Sequence, residues 1–255
     1  IKMSQKIKKV IGSPKENVIL IDVLRNFGQD TYVNIVDLLM KDPDITDDKI
    51  FIELASREKK VHQSFNKFKL AGVLNLVKHI IKINPYTKIL DFGGANCLAA
   101  QNLAETNNLK SIDVCDIVDQ ISPDKIVKFS KIELDEKLPY LNKEFDVVFC
   151  MMTLHHIKNV EFVIQELSRI TKKYLIIQEH DADTQYTDIL DIVHGMYIFV
   201  KNDADYEKVN NFSDFQAWYK SMTEWTKLLD KYFSVIWIRR TKSPQNNYFA
   251  LYIKK

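Results

Sequence analysis

The sequence predicts an α/β fold: a mostly parallel sheet with helices on both faces, an antiparallel last strand and a helical amino-terminal extension. Three observations predict it. Between Lys88 and Val118 the apolar run Lys88-Ile89-Leu90-Asp91-Phe92 meets small residues, a helical stretch follows, and a second run, Ser111-Ile112-Asp113-Val114-Cys115-Asp116-Ile117, ends in a carboxylate. From Phe145 onward strand, helix and strand alternate again, as a parallel sheet with covering helices requires. Near the end, Phe233–Ile238 and Tyr248–Ile253 flank the turn residues Ser243-Pro244-Gln245-Asn246-Asn247, the pattern of an antiparallel pair.

Residues 1–86 read as a mostly helical extension. Asn17 to Phe27 is apolar in two groups before Gly28, Thr31 to Met40 is ended by Pro43, and Ile45-Thr46-Asp47-Asp48 offers a capped start to a helix through about Ala55. A longer helix is expected from about Lys59 to Ile83, where Asn84-Pro85 stops it. Residues 1–87 hold 15 Lys/Arg against 10 Asp/Glu, a local +5 in a chain of net +2. Lys2, Lys6, Lys8 and Lys9 form one basic group; Arg57, Lys59, Lys60, Lys67 and Lys69 form another, with Phe65 and Phe68 interleaved. Such residues neutralise phosphates and stack on bases, although a solvated helix with its Phe side chains facing a core has the same composition. The expected role is a cover over the open ends of the strands.

Residues 87–255 hold the sheet. Small residues after Asp91 admit a ligand at the first strand tip, and an acid at the second tip accepts hydrogen bonds from ribose hydroxyls; Asp116 or Asp113 ends that strand. Val160 to Ile170 has helical apolar spacing, and Tyr174 to Gln178 is a strand leading into Glu179-His180-Asp181. Beyond it, Asp188 to Tyr197 is helical in pattern, Asp203 to Tyr206 reads as an acidic loop, and Phe212 to Asp230 carries Trp218, Tyr219 and Trp225 as core candidates.

Several of these segments, in order, resemble the motifs of the class I S-adenosylmethionine (SAM) methyltransferases. Asp91-Phe92-Gly93-Gly94 resembles the acid-x-Gly-x-Gly-x-Gly of their first motif, with Ala95 and Cys97 at the later glycine positions. A dinucleotide site would need the third glycine to hold a pyrophosphate at the helix start, whereas SAM carries no phosphate. Leu138-Pro139-Tyr140, Phe145-Asp146 and Leu154-His155-His156 resemble the family's fourth-strand region. The resemblance covers about residues 87–255 and implies a Rossmann-like sheet with SAM as cofactor.

Composition places limits on the alternatives. The apolar runs are broken by Lys or His well short of a membrane span, and none of the chain reads as a signal peptide. Cys97, Cys115 and Cys150 show no CxxC spacing, which points to a reducing compartment, here the cytoplasm, rather than to a disulfide framework. His155, His156, His180 and His194 lack a paired metal-binding spacing, so no metal is expected. The chain opens at Ile1 rather than Met, as a fragment of a longer polypeptide or a cloning scar would.

The acceptor is read from what the nucleophile requires. Ribose hydroxyls and amines need a base; after the fourth strand this chain has Met151-Met152, and no acid until Glu161. Guanine N7 already offers a lone pair. The interval from Phe145-Asp146 to Leu154-His155-His156, with Phe65-Asn66-Lys67-Phe68-Lys69 upstream, looks like the cap guanine-N7 methyltransferases. Glu179-His180-Asp181 with His194 is similar to the methyltransferase domains of capping enzymes of large cytoplasmic DNA viruses, that of African swine fever virus foremost. The resemblance implies capped RNA as partner, covalently linked or associated triphosphatase and guanylyltransferase domains, and a host-cytoplasm or virion location. The alternative readings are a small-molecule or other RNA methyltransferase, or a non-catalytic SAM- or RNA-binding module of a capping complex. It further implies that Asp91, Gly93, Gly94, Asp116, Glu133, Asp135 and Met151 shape the SAM pocket, with Lys67 or Lys69 at the SAM carboxylate or cap phosphates. His155, His156, Glu179 and Tyr248 would position the guanine, Glu179 accepting from N1–H and N2–H and Tyr248 stacking. His155 would equally serve to cap the helix after the fourth strand, and Glu179 to pair with a core cation.

Overall fold

The computed structural model describes residues 3–25, 31–42, 44–45, 69–117, 125–182, 218–241 and 247–255. Outside the described residues lie the helix expected over 46–55, the first part of that expected from Lys59, the patterns at 188–197, 203–206 and 212–217, and the turn 243–246. Phe65, Lys67, Phe68 and His194 lie there too.

The chain divides into two compact units, one of residues 1–62, 182–219 and 242–246, the other of 63–181, 220–241 and 247–255. In the first, α1 (Met3–Gly12), α2 (Pro14–Arg25) and α3 (Thr31–Lys41) follow one another. Helix α1 is additional to those the apolar pattern suggested; it buries Ile7 and Val10, one helical turn apart. Pro14 opens α2 at a position where its missing N–H costs nothing, while the Asn17 N–H bonds the Ser13 carbonyl at 2.8 Å.

The second unit is built on a seven-stranded sheet in the order β3-β2-β1-β4-β5-β7-β6. Its strands are β1 (Ile89–Phe92), β2 (Ile112–Asp116), β3 (Val127–Lys131), β4 (Phe145–Met151), β5 (Thr171–His180), β6 (Phe233–Arg240) and β7 (Asn247–Lys254). The first five are mutually parallel, and β7 runs antiparallel to both β5 and β6. Strands covered on both faces read as continuous apolar runs, and every residue of β1 is buried.

Helices α4 (Lys69–Val77) and α5 (Leu98–Asn107) cover one face, sharing a core with Ile89, Val114 and Phe149. Helices α6 (Val160–Ile170) and α7 (Met222–Asp230) cover the other, where Ile164, Leu167, Trp225 and Leu229 pack with Val148 and Ile177. Each helix end has a local cause. Asn108 closes α5 in the left-handed region, and a Ser221/Glu224 capping box opens α7. Helix α4 ends at Val77, short of the expected Ile83, and the chain leaves it through a turn in which the N–H groups of Ile80 and Ile81 share the Val77 carbonyl at 2.8 and 2.9 Å. Asn84 and Thr87 then lock the entry to β1, the Asn84 N–H bonding Thr87 Oγ1 at 2.8 Å. Helix α4 belongs to the sheet's unit, although it lies within the 1–86 span read from sequence as the extension.

Candidate functional site

The carboxyl ends of β1, β2, β4 and β5 lie on one edge of the sheet, where open α/β folds bind ligands. The loop that leaves β1 has backbone angles that explain its sequence. Gly93, Ala95 and Cys97 take φ of 74°, 45° and 62°. All three positions where the motif carries glycine are therefore left-handed, and two of them are held there by residues with a Cβ, at about 1–2 kcal/mol each. A Cβ on Gly93 would fall 2.4 Å from Thr153 Cγ2, and one on Gly94 would fall 2.5 Å from Val114 Cγ1 and 2.7 Å from Asp91 Oδ2. The loop thus hugs β2 and leaves the strand tips uncovered by its own side chains.

Around that loop stand three charged groups. Asp91, 3 % exposed within β1, has its carboxyl pushed up to about 7 by burial; Lys69 pulls the other way and Asp116 adds to the rise. Lys69, the first residue of α4, donates from Nζ to the Met151 carbonyl at 2.8 Å. Burial pushes its ammonium below the usual range, against the attraction of Asp91 and Glu179. Asp116 is the last residue of β2 and accepts the Ala95 N–H on Oδ2 at 2.9 Å. Asp113 lies inside the strand, paired with Leu90 and Lys128, so Asp116 is the acid at the tip. The Ile132 N–H bonds the Asp116 carbonyl at 3.0 Å, which brings the exposed Glu133 and Asp135 to the same edge.

Past β4 the chain turns sharply. Met152 adopts φ 59° and donates its N–H to the Gln178 carbonyl at 2.7 Å. Glu179, wholly buried in β5, then takes three bonds. Oε1 accepts the N–H groups of Thr153 (2.9 Å) and Leu154 (2.7 Å), and Oε2 lies 2.6 Å from His155 Nδ1. Burial pushes this carboxyl up, but His155, His180 and the Leu154 N–H outweigh it and hold it below the usual carboxylate range. The imidazoles of His156 and His180 lie 4.2 and 5.0 Å from that of His155, centre to centre.

This geometry revises two expected roles. Tyr248 has no exposed surface, sits in the core with Trp225 and Tyr252, and so offers no face to a base. Glu179 has both oxygens engaged within the chain and no exposed surface, so it does not present an acceptor for guanine N1–H and N2–H; its close partner among the described residues is His155, with Lys69 attracted from further off. His155 is 2 % exposed, whereas His156 is exposed. Thr153, which buttresses Gly93, was missed from sequence: nothing marks a threonine two residues past a strand as a neighbour of a loop sixty residues earlier. Lys67 lies outside the described residues.

The residues fit SAM on the geometry at hand. The Gly93-Gly94 backbone packs closely against Thr153, Val114 and Asp91, Asp116 stands at the β2 tip for hydroxyls, and Asp91 and Lys69 offer opposite charges for an amino acid moiety. A family model described as a methyltransferase domain matches residues 90–177. No curated protein matches the chain. Among solved structures it is similar to an S-adenosylmethionine-dependent methyltransferase of Mesorhizobium loti (TM-score 0.53, 9 % identity, 71 % of this chain and 96 % of that one). It is similar also to protein PH0226 of Pyrococcus horikoshii (0.51, 15 %, 78 % and 94 %) and to the [4+2]-cyclase SpnF (0.52, 12 %, 72 % and 80 %). At such identities these likenesses establish the fold, and a cyclase among them shows that one fold hosts more than one chemistry. The family match spans β1 to β5, so this part of the chain is similar to a methyltransferase domain, and the cofactor that such domains imply is SAM.

Proposed function

We propose that this domain methylates the N7 position of the guanine that caps an RNA 5′ end. One observation carries the reading: among the described residues, the tip of β4 presents Met151, Met152 and Thr153, and the nearby carboxylate of Glu179 is consumed by the chain itself. An acceptor that must lose a proton as it attacks would find no carboxylate placed there for it, whereas guanine N7 attacks with a lone pair already present. SAM supplies an electrophilic methyl group. What remains for the protein is to hold two reactants in line, a contribution worth up to roughly 7–11 kcal/mol in well-oriented systems. Gly93 and Thr153 shape the cofactor side, Asp116 and Lys69 orient it, and His155 and His156 stand at the β4 tip toward the acceptor. The excess of Lys and Arg in residues 1–87 and the sequence resemblance to viral capping enzymes support an RNA substrate. In this reading the partners are the capped RNA end and triphosphatase and guanylyltransferase activities on linked or associated domains. The setting is a virion or the host cytoplasm. No described helix is long and apolar enough to cross a membrane.

The test is transfer of labelled methyl from SAM to three short RNAs: capped GpppA, the same cap already methylated at N7, and a bare triphosphate. Label on the unmethylated cap alone is the expected result. Label on the premethylated cap would move the activity to ribose, and none on any RNA would overturn the RNA assignment.

A further inference from the structure

The contacts of Glu179 point to a role that its sequence position does not suggest. Its carboxylate is wholly buried, yet it binds three consecutive residues, Thr153, Leu154 and His155, that follow β4. The first of them reaches the cofactor side. Thr153 lies against the space above Gly93, and its hydroxyl donates to the Met151 carbonyl at 3.2 Å. The same carbonyl receives Lys69 Nζ at 2.8 Å. One step earlier the Met152 N–H reaches β5 at Gln178. The β4 loop is therefore pinned to β5 by a backbone bond and by one anionic side chain, and Glu179 is the anchor from which Gly93, Met151 and Lys69 take their spacing.

We propose that Glu179 is a positioning residue for methyl transfer: through Thr153, Leu154 and His155 it sets the shape of the SAM pocket and the placing of the acceptor, without contacting the acceptor itself. With Glu179 ionised, three N–H groups converge on it, so the Nδ1 atom of His155 carries its proton and the imidazole is fixed in one orientation. A side chain that read the guanine would act on acceptor binding alone; an anchor acts on both substrates. The cofactor arm of the test rests on the SAM-dependent domain, and only the acceptor arm rests on the cap reading, so the two fail separately.

The experiment compares wild-type chain with Glu179→Ala and Glu179→Gln, each verified as folded by its thermal transition. A Glu166→Gln variant, whose carboxylate serves Arg169 and the Leu138 N–H away from this edge, controls for general destabilisation. Affinity for S-adenosylhomocysteine is measured without any acceptor. Glu179→Ala is expected to weaken it by about tenfold or more, a loss the size of a charged hydrogen-bond network. Glu179→Gln is expected to keep it within about threefold, because the amide oxygen still accepts from Thr153 and Leu154 and the amide N–H donates to His155 in its other tautomer. The preference for GpppA over the inosine cap, which lacks the 2-amino group, should be the same in every variant. Unchanged S-adenosylhomocysteine affinity in a folded Glu179→Ala chain would overturn the proposal. So would equal losses in the Ala and Gln variants, or loss of the guanine preference alone.

Discussion

The backbone of Gly93 passes so close to Thr153 that a methyl group on it would lie 2.4 Å from Thr153 Cγ2 and 2.5 Å from its hydroxyl. Thr153 cannot simply turn away, since its N–H is held by Glu179 and its hydroxyl by Met151. Gly93→Ala is therefore expected to cost about 1–2 kcal/mol for the left-handed φ alone. Moving Thr153 should weaken S-adenosylhomocysteine binding by roughly tenfold or more, the equivalent of 1.4 kcal/mol. Calorimetric titration and a thermal melt of the same sample separate the two effects.

Ala95 and Cys97 point the opposite way. Both adopt left-handed φ while carrying a Cβ, so replacing either with glycine relieves strain. Ala95→Gly is expected to raise stability by about 0.5–1 kcal/mol, less the entropy that glycine gains in the unfolded chain. Cys97→Gly should gain less, because Cys97 is fully buried and its side chain leaves a void. Denaturation midpoints at constant slope would show the order.

Asp91 makes cofactor binding depend on pH. Its folded-state value of about 7 lies above the ordinary carboxyl value, so between roughly pH 4 and 7 the ligand-free folded chain holds a proton that the unfolded chain has released. This group's contribution to stability is accordingly present below the unfolded value and is lost as pH rises through that window. A cationic ligand favours the ionised form. SAM affinity should therefore increase from pH 6 to 8, with an inflection near 7, and that inflection should vanish in Asp91→Asn. A rise that persists in the variant would assign the titration elsewhere.

Tyr248 supplies a negative prediction. Its hydroxyl is buried without a hydrogen-bond partner among the described residues, and burial pushes its pKa well above the usual range. Tyr248→Phe removes an unsatisfied polar atom and keeps the ring, so stability should hold or rise by about 1 kcal/mol and methyl transfer should be unaffected. A large loss of kcat with the melt unchanged would return this hydroxyl to the site.

At the far end of β5, Asp181 accepts the Met222 N–H on Oδ1 at 2.7 Å and pairs through Oδ2 with Arg240 at 2.8 Å. The first contact satisfies a donor at the start of α7; the second reaches a guanidinium that is 61 % exposed, where solvent screens it. Asp181→Asn keeps the first and should cost well under about 1 kcal/mol, whereas Asp181→Ala loses both and should cost about 0.5–2 kcal/mol. Urea denaturation of the pair decides which contact matters.

What was legible in the sequence followed from local pattern. Leu90-Asp91-Phe92, the apolar run of β4 and the periodic helix Val160–Ile170 announced themselves, because burial on both faces or on one stripe leaves a readable period. Strand β3 did not: Val-Lys-Phe-Ser-Lys lies beside β2 near the edge of the sheet, and three of its five residues are polar. Asp116 was read correctly as a candidate for the strand tip, but only the register with Lys131 separates it from Asp113. The pairing of His155 with Glu179 joins residues 24 positions apart, and no spacing rule connects a strand end with the residue four beyond another. The motif glycines were easy to see; that the residues replacing them keep the glycine conformation was not.

Strand β7 follows all the other described strands in the chain, yet it sits between β5 and β6. During vectorial synthesis, therefore, the β5 edge from Tyr174 to His180 and the inner edge of β6 both wait for residues 247–254, their eventual partners. Until that segment arrives, two apolar strands carry unpaired backbone groups of the kind that recruit foreign chains. Glu179 lies on that waiting edge, so the ribosome must finish β7 before the pocket's own anchor is sealed.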